Sequence, residues 1–267
     1  LNHLIHFYPK PYISLLSGVV MGGGMGIGQA GPDNRLRIVT EKTKMAMPEV
    51  NIGLFPDVGG GYFLSRCAGE LGTWLGLSGD IINASDAIYA DLADLFVPSE
   101  QLAALITLLE TTQQTDVRSC IREFAAPYQI QAGASQLERN RAQIDQHFSH
   151  DSVSEILHSL QADGSPFAQQ TASLMQTRSP LMMCVTLAQL RRGTLQGVAD
   201  CLRTERTMVR HCFKHGEVLE GIRALVVDKD MQPKWQPATV QEVTEEMIQG
   251  FFEPVWPEYA HPLRELI

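Results

Sequence analysis

No CxxC pair occurs in this sequence. Its five cysteines, Cys67, Cys120, Cys184, Cys201 and Cys212, are scattered and odd in number. A disulfide framework is thereby excluded, and the thiols read as the reduced cysteines of an intracellular protein. Long apolar runs are missing too: none approaches the roughly 18 residues that span a bilayer. Positive charge is in deficit, with a net charge of −9. Such a surface repels a phosphate backbone, so general nucleic-acid binding is excluded, although one local cationic pocket for an anionic coenzyme is not. There is no P-loop lysine motif and no GxSxG nucleophile elbow. His211 and His215 are four apart on an expected helix but lack the Glu of an HExxH motif. With the pairs His147/His150 and His3/His6 they read as packed or solvated, and no metal site is expected. No signal peptide, internal repeat or low-complexity tract is visible.

What is present is an ordinary globular balance, 44% hydrophobic and 19% charged in 267 residues. That is enough for one large domain or two smaller ones. The opening "LNHLIHFYPKP" begins without Met and reads as the tail of a helix running into a loop. The sequence is therefore expected to be the C-terminal part of a longer chain. "PYISLLSGVV" (residues 11–20) reads as a buried strand, "LRIVT" (36–40) as a second after the turn signal "GPDN", and "KMAMP" as a third ended by Pro48. "FPDVGGGYFLSRCAG" turns at residues 56–60 and then starts a helix through Tyr62, Phe63 and Cys67. "SDAIYADLADLF" (85–96) has helical spacing with Ser85 as its cap, and "SEQLAALITLLE" has Ser99. Amphipathic segments follow in "DSVSEILHSLQADG", "SPFAQQTASLMQTRSP", "SPLMMCVTLAQLRRG" and residues 195–215. The composition shifts near residue 115. The expected division is an α/β core carrying the site motifs over residues 1–115 and a helical region over 116–267.

Five of the ten residues in "VVMGGGMGIG" (19–28) are glycine. Three readings are open. The first is close packing of bare backbone. The second is a dinucleotide fingerprint, Gly26-x-Gly28-x-x-Gly31, although "GPDN" then stands where that fold continues its helix. The third is an oxyanion site: a helix starting within Gly22, Gly23 and Gly24 would aim unpaired N–H groups at a developing negative charge. Acids for such a site are at hand. Glu49 and Asp57 each follow a proline, where strands end and loops begin. Their neighbours Val50, Ile52, Leu54, Phe55 and Val58 are apolar, and a carboxylate so surrounded keeps its proton nearer neutrality and can serve as base or acid. The alternative is two caps facing water.

"KPYISLLSGVVMGGGMGIG", "TEKTKMAMPEVNIGLFPDVGGGYFLSR" and "EGIRALVVDKDMQPKWQP" together resemble the crotonase superfamily, and within it the 3-hydroxyisobutyryl-coenzyme A hydrolase family. The likeness runs from about residue 10 to 237. It implies a spiral of ββα turns followed by a helical region that caps the site and often mediates homo-oligomerisation. It implies an acyl-coenzyme A substrate, with the coenzyme part of the substrate and no separate cofactor. Gly26 stands where the hydratases of the superfamily carry one of two acids, and Asp57 stands where they usually have Gly. One Glu plus one later Asp is the hydrolase pattern. By the same resemblance Gly23 supplies an oxyanion N–H, flanked by Gly22 and Gly24. Glu49 attacks the thioester carbonyl or activates water against it. Asp57 positions that water or passes the proton to the leaving thiolate. Lys229, in the tail motif, meets the coenzyme phosphates, as Arg191 and Arg192 could. The family's second oxyanion donor belongs to an upstream stretch that nothing here matches, and "QAGPDNR" is about three residues longer than usual. The expected function is hydrolysis of a short branched 3-hydroxyacyl-coenzyme A in valine breakdown, in a bacterial cytoplasm or alternatively a mitochondrial matrix. The alternatives are an enoyl-coenzyme A hydratase or isomerase, and a non-catalytic binding subunit.

Overall fold

The computed structural model describes residues 1–31, 35–113, 115–215 and 217–267. In chain order these form α1 (Asn2–His6), β1 (Tyr12–Leu16), β2 (Val19–Met21), α2 (Gly23–Gln29), β3 (Arg35–Val39), β4 (Lys44–Ala46), α3 (Gly60–Phe63), α4 (Leu71–Ser78), α5 (Ala84–Tyr89), β5 (Leu95–Phe96), α6 (Leu102–Thr111) and α7 (Val117–Ala125). There follow α8 (Gln136–Phe148), α9 (Val153–Ala162), α10 (Pro166–Met175), α11 (Pro180–Gly193), α12 (Val198–His215), α13 (Glu217–Ile222) and α14 (Glu245–Gly250), with short 3-10 turns between and a π-helical turn over Arg223–Val227. Contacts divide the chain into two compact units, Leu1–Ala46 with Ile81–Arg139, and Met47–Asp80 with Asn140–Ile267.

The first unit holds the strands. β1, β3 and β5 form one parallel sheet in the order β1-β3-β5, with Ile13 opposite Leu36 and Leu15 opposite Ile38; β2 and β4 form a second. Residues 11–20 are thus not one strand. Gly18, at φ 84, cannot continue the pleat, and the two halves enter different sheets. Leu36, Ile38, Leu95, Val97, Leu105, Ile121 and Ala125 make the core beneath β3 and β5. Arg37 is buried in β3 at 1% exposure, yet its donors reach both Asp94 oxygens, Asp91 and Gln29. Removing Asp94, which takes two of these donors, would leave the buried guanidinium with only the largely exposed Asp91 as counter-charge.

Two helix expectations need correction here. The segment 85–96 is helical only through Tyr89, because Asp91 at φ 55 turns the chain and the amides of Leu92 and Ala93 both close on the Ala87 carbonyl. Leu95 and Phe96 then pair with β3. The cap is Asn83, whose side chain accepts the Asp86 N–H at 3.0 Å; Ser85 donates its hydroxyl to Asn83 instead. Ser99 likewise caps no helix, since its hydroxyl is taken by the Glu41 carboxylate. The dinucleotide reading also fails. Gly26 and Gly28 lie buried inside α2, not on a strand-to-helix turn. Gly28 is there for close packing: a Cβ would stand 2.9 Å from the Leu16 side chain. Residues 32–34, within the long "QAGPDNR" segment and its turn signal, lie outside the described residues.

The second unit is helical. α4, with all eight residues buried, packs against α11 and α10. Gly72 is obligatory there, because a Cβ would overlap the Leu64 carbonyl. α9 opens with a Ser152–Glu155 capping box; α10 and α11 each open with a Ser cap followed by Pro, a pairing pre-organised for a first turn. The helix expected through Cys67 is α helix over Gly60–Phe63, then a 3-10 turn over Leu64–Arg66. No helix among the described residues is long and apolar enough to cross a membrane.

Candidate active site

Glu49 opens the 3-10 turn Glu49–Ile52 directly after Pro48. The turn is fixed from several sides. Asn51 N–H bonds the Pro48 carbonyl at 2.9 Å and Leu54 N–H bonds the Glu49 carbonyl at 3.0 Å. The Ser179 amide, at the start of α11, donates to the Val50 carbonyl at 3.1 Å. α13 lies so close that a Cβ on Gly53 would overlap the Glu217 backbone, and one on Gly221 the Ile52 backbone. Glu217, itself buried, accepts the Ser179 hydroxyl and the Gln236 N–H and so ties α11 and α13 together.

The Glu49 side chain is 6% exposed, beside Val50 and Phe55 at 0%. Its Oε2 is buried with no hydrogen-bond partner among the described residues. Burial pushes its pKa up to about 8, and the negative charge of Asp57 adds to the rise. Burying an acid without a partner is costly, and keeping the proton is how the fold lowers that cost. A carboxyl held near neutrality with a free lone pair is suited to proton transfer or to attack on an electrophile.

Asp57 follows Pro56 and is half-buried, and burial raises its pKa as well. The chain around it is unusual. Val58 is β-branched yet stands at φ 54, and Gly59 follows at φ 94. Left-handed backbone is a true outlier for valine. Here the next turn closes it, with Gly60 N–H on the Asp57 carbonyl at 2.8 Å.

Glu205 of α12, which the sequence reading did not single out, completes the acidic group. It is 4% exposed, and its pKa is raised to about 8 by burial and further by Asp57. Its Oε2 accepts the Gly59 N–H at 2.8 Å and its Oε1 the Gly61 N–H at 3.0 Å. A signal for it exists in the sequence: it interrupts the apolar stripe Cys201, Met208 and Cys212 that α12 buries.

The other expected residues fall elsewhere in the fold. Gly22, at φ 50, precedes α2, and Gly23 and Gly24 are its exposed first residues, with nothing within 4 Å of where a Cβ would be. They belong to the first unit, and Glu49 and Asp57 to the second. Lys229 is exposed at φ 55 in the loop after α13; its ammonium makes no hydrogen bond or ion pair among the described residues. Arg191 is engaged by Glu70, and Arg192 lies on the Phe252 ring, 3.6 Å from its centroid. His211 bonds the Glu253 carbonyl and His215 stacks on Phe251. Buried His147 is held between Ser159 and Asp163, and His3 and His6 pack on Phe7. Among the described residues no group of three or more potential ligands could hold a metal ion.

A family model described as enoyl-CoA hydratase/isomerase matches residues 1–252. The mitochondrial 3-hydroxyisobutyryl-CoA hydrolase of Homo sapiens is 38% identical over 257 residues, 95% of this chain and 66% of its own length. The Gallus gallus protein of the same name is 36% identical over 259 residues, 96% of this chain and again 66% of its own. The chain thus spans 66% of the length of the curated relatives it matches. Among solved structures, a carnitinyl-CoA dehydratase from Mycobacterium thermoresistibile is 39% identical, with a TM-score of 0.84 over 96% of this chain and 72% of that one. An enoyl-CoA hydratase from Rhodobacter sphaeroides is 34% identical, with a TM-score of 0.82 over 95% and 71%. These likenesses bear out the expected crotonase-type α/β fold.

Proposed function

We propose, from the premise that this chain belongs to the enoyl-CoA hydratase/isomerase family, that it hydrolyses the thioester of a short branched 3-hydroxyacyl-coenzyme A. One observation carries the reading: Glu49 is buried with a partnerless oxygen and its proton is held further by the like charge of Asp57, while Gly26 leaves α2 without a second acid. A hydratase works one water between two acids; the arrangement here is one Glu and one later Asp.

In the proposed reaction Glu49 acts in its ionised form. Either it attacks the thioester carbonyl carbon, giving a mixed anhydride that a water then hydrolyses to free Glu49, or it takes a proton from a water that attacks that carbon directly. The carbonyl electrons move onto oxygen, then return as the C–S bond breaks. Asp57 holds the water and passes the proton to the departing thiolate. One water is consumed, and a carboxylic acid and the coenzyme thiol are formed. The Gly23 amide is proposed, from the family resemblance, as an oxyanion donor, a role worth a few kcal/mol of transition-state stabilisation per donor. Lys229, exposed and unengaged among the described residues, is proposed to meet the coenzyme phosphates.

The test is thiol release from 3-hydroxyisobutyryl-coenzyme A by the full-length protein. Glu49→Gln is expected to lower turnover at least about a hundredfold, the low end of general-base contributions. Unchanged turnover in that variant contradicts the mechanism. A second reading, hydration of an enoyl-coenzyme A, is favoured by the names of the two similar solved structures, a carnitinyl-CoA dehydratase and an enoyl-CoA hydratase. Loss of crotonyl-coenzyme A absorbance without thiol release would select it.

A further inference from the structure

Glu205 is an acid in the middle of a helix, placed in the stripe that α12 buries, at 4% exposure. A carboxylate there is costly unless its oxygens are satisfied. The groups that satisfy it are backbone amides, Gly59 N–H on Oε2 at 2.8 Å and Gly61 N–H on Oε1 at 3.0 Å. A second buried side chain works beside it. The Gln189 amide, on α11 and 3% exposed, donates to the Pro56 carbonyl at 2.8 Å and stands 3.5 Å from Glu205 Oε1. Together they hold Pro56 on one side of Asp57 and Gly59 and Gly61 on the other. The space is closed around this grip: a Cβ on Gly61 would stand 3.0 Å from Gln189 Nε2 and 3.3 Å from Glu205 Oε1.

The gripped segment is one that would not keep its shape unaided. Val58, next to Asp57, sits at φ 54, a region that β-branched residues avoid and keep only when their surroundings over-determine it. Ordinary packing would not need a bidentate acid here. An apolar residue at position 205 would fill the stripe, yet leave the Gly59 and Gly61 amides buried without acceptors.

We propose that Glu205, assisted by Gln189, is a positioning residue: its carboxyl group holds the left-handed Asp57–Gly61 turn and thereby sets the direction of the Asp57 side chain toward the reacting thioester. This rests on the role given to Asp57 under the proposed function. Glu205 itself touches no substrate. It acts through the loop, so its effect on turnover passes entirely through Asp57.

Two measurements on the full-length protein test this. The first needs no substrate: amide hydrogen exchange in peptides covering residues 54–64. In Glu205→Gln, which keeps the shape but only one acceptor oxygen, exchange at Gly59 and Gly61 is expected to rise at least about tenfold while peptides of α9 and α10 stay at wild-type values. The second is a double-mutant cycle on thiol release. Glu205→Gln is expected to lower kcat about ten- to a hundredfold, the scale of a small misplacement of a reacting group, with KM within about twofold. Combined with Asp57→Asn it should cost nothing beyond Asp57→Asn alone, because residues acting as one unit are non-additive. Wild-type exchange in Glu205→Gln, or multiplying effects in the double variant, overturns the proposal. If Glu205→Gln does not fold, Gln189→Leu carries the same pair of tests, with the same signs and smaller effects. Wild-type turnover in Asp57→Asn contradicts the role of Asp57 in the hydrolysis, and the exchange measurement then decides the hold on the loop by itself.

Discussion

At the scale of single residues, the Glu49 carboxyl has a consequence for stability as well as for chemistry. In the unfolded chain it ionises at its ordinary 4.5; in the folded protein it keeps its proton to about 8. Between those values the folded state binds more protons than the unfolded state, so stability falls as pH rises through the window. Below 4.5 nothing is lost, and above 8 the loss is complete. Glu49→Gln cannot ionise and escapes this loss. Its unfolding free energy from urea titration should match wild type near the acid end and exceed it increasingly toward the alkaline end, by on the order of a few kcal/mol. Parallel pH dependences in the two proteins would contradict the burial that underlies the site. Glu49 and Asp57 were legible from sequence because each follows a proline among apolar neighbours. Glu205 showed in the sequence only as an acid interrupting the apolar stripe of α12; its role did not, because its partners are backbone amides more than 140 positions away in the chain, a pairing that no local pattern announces. Arg37 was missed for a related reason: a lone Arg in a strand reads as an edge charge until Asp91, Asp94 and Gln29 are brought to it.

At the scale of elements, the helices with strong caps and clear breakers were readable. α9, α10 and α11 begin at the Ser caps their sequences offer, because a Ser hydroxyl and a following Glu or Pro satisfy the first turn locally. Where a distant partner competed, local reading failed, as when Glu41 took Ser99 and β3 took Leu95 and Phe96. The contact of α13 with the Glu49 turn was likewise invisible. It depends on Gly221, whose missing Cβ lets the Ile52 backbone approach. Gly221→Ala therefore sets two effects against each other. Helix propensity favours Ala by about 1 kcal/mol, while overpacking against backbone costs about 1–3 kcal/mol. Because the atom met is backbone, overpacking is expected to win, giving a net loss of stability in urea unfolding together with reduced turnover, as the turn carrying Glu49 is displaced. A variant more stable than wild type would show that the approach is looser than described.

At the scale of the whole molecule, the chain is built from two units, neither continuous in sequence, and its candidate catalytic acids lie in a largely helical one that the glycine-rich α2 does not belong to. The family resemblance was carried by "FPDVGGGYFL" and the tail motif, and the comparisons with relatives agree with it. Composition alone reached no further than an acidic globular protein, because net charge and hydropathy are blind to which side chains converge. Turnover is the property in which all parts must act together, and its pH dependence reads the central acid directly. The decisive measurement is kcat/KM for thiol release from 3-hydroxyisobutyryl-coenzyme A across the neutral range. A base that must be ionised, with its pKa raised to about 8, predicts a rate that climbs with pH and levels above that value in the wild type, with the climb absent in Glu49→Gln. A flat wild-type profile, or the same inflection in Glu49→Gln, would contradict the account.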